Sequence, residues 1–113
     1  MAQLFFQTQA IFDVSAFERF CNRVAGFDLP LIAGILPVKS VKMAAYMNSN
    51  VPGINVPASI INRISESKSV KATSTEISAG IVADIKPFCC GVHLMAIGWE
   101  ALIPAILEQA AAR

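Results

Sequence analysis

Leu31-Ile32-Ala33-Gly34-Ile35-Leu36 is apolar on both parities of a strand, follows Pro30 and stops at Pro37. A strand with one wet face alternates apolar and polar side chains, so a run with no polar position reads as a parallel strand covered on both faces. Gly91-Val92-His93-Leu94-Met95-Ala96-Ile97-Gly98 is a second run of this type. Parallel strands need crossover connections, so a chain built on such runs must place helices between them.

The intervening segments supply them. Residues 4–10, rich in aromatic and β-tolerant side chains, read as a first strand. Val14, Phe17, Phe20, Cys21 and Val24 then recur at helical spacing, with Asp13 as N-cap and Gly26 as the residue just past the helix. Ser40 caps a helix running to about Asn48. Ile54-Asn55-Val56 reads as a very short strand, and Pro57 opens a helix with Ile60, Ile61 and Ile64 on its apolar face. Residues 65–74 are the best candidate for an exposed loop. Thr73 and Glu76 have capping-box spacing ahead of the stripe Ile77, Ile81 and Ile85, and a last helix spans residues 101–111, with Pro104 in its first turn. The order is four βα units with parallel strands and one extra helix in the third connection. Strand tips at Gln9, Pro37, Val56 and Gly98 share one edge, where α/β folds bind ligands. An open doubly wound sheet and half of an eight-unit barrel both satisfy this pattern.

Composition narrows the function classes. Of 113 residues, 55% are hydrophobic and 15% charged, well below the roughly 25% charged of a typical soluble domain, so much of this surface expects a cover. The formal charge of +1 comes without a Lys/Arg run, which argues against nucleic acid. The longest apolar stretches are too short for a membrane helix, no secretory signal is visible, and three cysteines without C-x2-C spacing fit reduced thiols, which together predict a cytoplasmic location. No G-x-G-x-x-G, P-loop, G-x-S-x-G or H-E-x-x-H string is present.

Thr8-Gln9-Ala10-Ile11-Phe12-Asp13 and Pro30-Leu31-Ile32-Ala33-Gly34-Ile35-Leu36-Pro37-Val38 resemble the T-Q-x-x-F-D and P-I-x-x-G-I-L-P motifs of the methylenetetrahydrofolate reductase family. Val51-Pro52-Gly53-Ile54-Asn55-Val56-Pro57 and the run from Gly91 through Trp99-Glu100 resemble later segments of its acetogen-type members. The four strings occur in the family's order and cover nearly the whole chain. The resemblance implies the C-terminal half of a (β/α)8 TIM barrel, strands five to eight, with residues 1–113 as a partial barrel domain. It also implies a flavoprotein oxidoreductase of one-carbon metabolism and methionine biosynthesis, in which FAD passes a hydride from NAD(P)H to 5,10-methylenetetrahydrofolate, giving 5-methyltetrahydrofolate. Most FAD contacts and the family's acidic proton donor are expected in the other half, so the isolated chain is expected to be inactive. The alternative is a non-catalytic half-barrel module that self-associates as a homo-oligomer or completes its barrel with a partner chain. An iron–sulfur or zinc-bearing subunit is a further partner implied by the acetogen-type resemblance.

Gln9 matches the family's strand-five glutamine, whose amide can both donate to and accept from a pterin or nicotinamide edge. Tyr46 falls near the family's aromatic lining the folate site. Both are assigned to substrate binding, no residue is assigned to catalysis or metal, and the cofactor-binding residues are unknown. Asp13 reads as a helix cap, and Gly34 and Pro37 as shaping the strand exit. His93 reads as a packed, hydrogen-bonded strand residue, because adjacent Cys89 and Cys90 point to opposite faces and cannot converge with it on one ion. Cys89 and Cys90 read as buried inert thiols, and Trp99 and Glu100 as a helix start.

Overall fold

A computed structural model describes residues 5–113; Leu4, the expected start of the first strand, lies outside them. The elements in order are β1 (Phe6–Ala10), α1 (Val14–Val24), β2 (Leu31–Ile35), α2 (Val41–Asn50), α3 (Ala58–Glu66), α4 (Val70–Ile85), β3 (Gly91–Leu94) and α5 (Ile103–Ala111), with 3-10 turns after α1 and α4 and before α5. The strands form a parallel sheet in the order β1-β2-β3.

Most helix signals act where the sequence puts them. The Asp13 carboxylate accepts from Ala16 N–H (3.1 Å) and the Ser40 hydroxyl from Met43 N–H (3.0 Å), each satisfying an otherwise orphaned donor of a first turn. Pro57 precedes α3, which buries Ile60 and Ile64, and Pro104 lies in the first turn of α5. Past α1 it is Asp28, not Gly26, that adopts the left-handed conformation, because a 3-10 turn extends the helix to Phe27.

Residues 65–74 differ from the expected loop. They are mostly helical, with only residues 67–69 linking α3 to α4, and the cap is Ser69, whose hydroxyl accepts from Ala72 N–H (3.3 Å). The Thr73/Glu76 pair therefore lies inside α4. This helix packs against α1, α3 and α5. It buries the expected stripe Ile77, Ile81 and Ile85, together with Ser74, Thr75 and Ser78. Thr75 returns its hydroxyl to the Lys71 carbonyl (2.8 Å), which is how a polar side chain is tolerated there.

The expected third strand does not form. Val56 sits buried outside the sheet, its N–H donating to Asn48 Oδ1 (2.7 Å) and its carbonyl accepting from Asn48 Nδ2 (3.1 Å). One side-chain amide thus satisfies both backbone groups that a ladder would have used. β3 then pairs directly with β2, Gly34 opposite His93. Among the described residues the sheet thus has three parallel strands, one fewer than four βα units require.

The sheet is covered on one face. Leu31, Ala33 and Ile35 of β2 are buried in the helix-side core, which also holds Ile85 and Ile106 at 0% exposure. On the other face Ile32 is half-buried, while Gln7 and His93 are exposed and Gln7 Nε2 meets His93 Nδ1 at 2.8 Å. His93 is thus hydrogen-bonded as expected but not packed, and β3 is shorter and wetter than its composition predicts, because among the described residues nothing buries the face that bears Gln7 and His93.

Candidate functional site

The site lies at the carboxyl end of β1, where a local irregularity sets its geometry. Phe6 pairs with Leu31 and Gln7 with Ile32, but Ala10 pairs with Gly34, so three residue steps on β1 match two on β2. The Thr8 hydroxyl fills the gap: it accepts from Gly34 N–H (3.0 Å) and donates to the Gln9 carbonyl (2.8 Å). Such a bulge re-aims the neighbouring side chain. A Cβ on Gly34 would lie 2.8 Å from the Thr8 carbonyl and 3.1 Å from that of Gln9, so glycine allows β1 to come this close.

Gln9 reaches the turn between α2 and α3. Its Oε1 lies 2.6 Å from where a Cβ on Gly53 would be, and Gly53 holds φ +84°, so the turn is shaped to leave this amide room. The amide end of Gln9 has no hydrogen-bond partner among the described residues. Around it opens a cleft of about 440 Å³, with Phe12, Phe17 and Phe20 among its apolar lining and Thr8, Gln9, Asp13 and Asn55 supplying polar atoms. That size and balance suit a small ligand with a few convergent polar contacts.

The other candidate residues scatter. Tyr46 stands on α2 with 62% of its surface exposed and does not line the cleft. Asp13 lines it while serving as the cap of α1. Pro37 is fully buried at the exit from β2. On the same edge of the sheet the Lys39 ammonium bonds the Ile97 carbonyl and lies 5.7 Å above the Trp99 ring. Gly98 N–H donates to Glu100 (3.2 Å). Glu100 is held below the usual carboxylate range by hydrogen bonds from its own and the Gly98 backbone, with Lys39 adding a smaller pull. This clamp ties the loops after β2 and β3 together at the start of the last helix, the role expected of Trp99 and Glu100.

Cys90 is exposed, and Cys21 and Cys89 are partly so, hence the thiols are less hidden than their setting in the sequence predicts. Burial pushes both Cys21 and Cys89 above the usual thiol value, which disfavours the reactive thiolate. Among the described residues no group of three or more His, Cys, Asp or Glu side chains could hold a metal ion, and no helix is long and apolar enough to cross a membrane.

Thr8, Gly53 and Asn55 complete the site around Gln9, and sequence reasoning gave none of them a role. All three stand in strings that carry the family resemblance, Thr8 beside Gln9 and the other two within Val51–Pro57, but only the tertiary turn brings the second string to the first. The family model of methylenetetrahydrofolate reductase matches residues 2–111. The chain belongs to that family. As a methylenetetrahydrofolate reductase family member it falls among oxidoreductases related to folate, and its parallel α/β sheet is compatible with part of a TIM barrel. No curated protein matches the chain.

Proposed function

We propose that this chain forms the folate-side wall of a flavin-dependent methylenetetrahydrofolate reductase, with Gln9 orienting the substrate. The reaction is reduction of 5,10-methylenetetrahydrofolate to 5-methyltetrahydrofolate by NAD(P)H, and FAD supplies the hydride carrier when bound. The observation that carries the reading is the unspent Gln9 amide in a cleft whose one charged lining residue, Asp13, is engaged as the cap of α1, at the strand end where the family's glutamine motif falls. An uncharged amide can pair with the mixed donor and acceptor edge of a pterin, and the Phe17 and Phe20 side of the cleft offers apolar cover.

The cleft offers no counter-charge for the pyrophosphate of FAD. Its lining holds no Lys, Arg or His, and the start of α1, which could otherwise receive a phosphate, is occupied by the Asp13 carboxylate. No flavin contact is therefore assigned to these residues, and their part is to bind and orient folate. Tyr46 is retained as a candidate for a more distal part of the substrate, away from the cleft.

The test is calorimetric titration of the purified chain with 5-methyltetrahydrofolate and, separately, with FAD, comparing Gln9→Ala. Folate binding weakened about tenfold or more in the variant, the worth of one well-made hydrogen bond, is the expected result. Equal folate affinity in both proteins rejects the role of Gln9. A second reading is favoured by the uncovered sheet face bearing Gln7 and His93: a non-catalytic half-barrel that covers this face with a second copy or a separate partner. Sedimentation of a folded, stable monomer counts against it.

A further inference from the structure

We propose that Thr8 is the positioning residue for Gln9, its hydroxyl acting as an inserted rung that fixes the bulge and thereby the direction of the Gln9 amide. The inference rests on the folate reading of Gln9 but is carried by geometry of its own. In a regular parallel ladder the Gly34 N–H would donate to a backbone carbonyl; here it donates to Thr8 Oγ1, and the same hydroxyl passes its proton to the Gln9 carbonyl. The hydroxyl is thus acceptor and donor at once. Register shifts at this point and nowhere else between β1 and β2.

Each neighbouring feature accommodates the insertion. Gly34 has no Cβ to strike the two β1 carbonyls that crowd it, and Ile11 N–H resumes the ladder by donating to the Gly34 carbonyl (3.0 Å). Beyond the bulge the Gln9 side chain is received by Gly53, whose positive φ and missing side chain leave space at the point where Oε1 lies. Gln9 is therefore fixed at its backbone by Thr8 and given room at its tip by Gly53. Valine matches threonine in shape but offers neither acceptor nor donor; serine offers both with one methyl fewer.

The experiment compares Thr8→Ser and Thr8→Val with the unaltered chain, reading three quantities: exchange protection of the Gly34 amide, the nuclear Overhauser contact between the Gln9 side-chain amide and the Gly53 α-protons, and affinity for 5-methyltetrahydrofolate. Thr8→Ser is expected to keep all three. Thr8→Val is expected to lose Gly34 protection and the Gln9–Gly53 contact and to bind folate about tenfold more weakly. If Thr8→Val keeps the Gln9–Gly53 contact, the proposal is overturned, whatever the folate result. If Thr8→Val loses that contact while Gln9→Ala binds folate normally, positioning by Thr8 stands and the folate reading of Gln9 fails. Should Thr8→Val not fold, the unaltered chain decides: proximity of the Thr8 γ-methyl to the Gly34 amide is required, and its absence overturns the proposal.

Discussion

Replacing Asn48 by alanine tests whether one amide keeps residues 54–56 out of the sheet. The substitution removes both hydrogen bonds that Val56 makes to the Asn48 side chain, at 2.7 and 3.1 Å, while Val56 itself is only 2% exposed. Leaving a buried backbone donor or acceptor unpaired costs about 1–3 kcal/mol each. Asn48 is exposed, so water can enter from its side and partly replace it, which places the combined loss near the low end, at about 2 kcal/mol. With a urea slope of about 1.5 kcal/mol per molar, the unfolding midpoint should fall by more than about 1 M. Asn48→Asp is the informative control, since it retains an acceptor for the Val56 N–H but sets a carboxylate against the Val56 carbonyl. Urea unfolding followed by circular dichroism measures the loss. A shift of less than about 0.5 kcal/mol, with an unchanged slope, would refute the clamp, because a typical single hydrogen bond is worth more than that. Gly53 lies in the same connection, so folate affinity should fall with stability in Asn48→Ala.

Gly53→Ala forces a Cβ into a left-handed φ and to within 2.6 Å of Gln9 Oε1; chemical denaturation should show a loss of about 1–2 kcal/mol, and titration should show weakened folate binding beyond what partial unfolding explains. Ile85→Ala removes a fully buried side chain from α4 and should cost about 2–5 kcal/mol by thermal unfolding, with a loss under about 1 kcal/mol contradicting its central place in the core. Burial raises the Cys21 and Cys89 thiols, Cys21 further through negative charge at Cys89. A raised folded value gives stability that is complete below the unfolded thiol range and is lost as pH rises through the folded value. Unfolding free energy should therefore decline above about pH 8.5, and the Cys21→Ala/Cys89→Ala double variant should flatten that decline.

Local signals were legible wherever one side chain acts on its own turn. Asp13, Ser40 and Pro57 mark the helix starts they predict, the Ile77, Ile81 and Ile85 stripe faces the core, and Gln9 stands at a strand end. The failures share a physical origin: a side chain substituting for backbone. Ile54-Asn55-Val56 has strand-like composition, but Asn48 supplies the partners of Val56 from eight residues away. The β1 bulge is likewise invisible to a period-2 reading because a hydroxyl takes a carbonyl's place. Residues 65–74 misled for another reason. Their polarity resembles a loop, yet Ser74 and Thr75 are buried by packing around α4 that periodicity cannot register. The fold class was therefore readable, whereas strand number was not.

The packing of α5 on α4 bears on how the chain folds as it is made. Ile106 has no exposed surface, and Ala110 is also buried. β3 must likewise find β2 after three intervening helices have been synthesised. β2 and α4 therefore carry apolar surfaces whose partners lie later in the sequence, and nonlocal parallel pairing of this kind is slow. Until α5 docks, the face of α4 that Ile106 and Ala110 help to cover is open to nonnative apolar contacts.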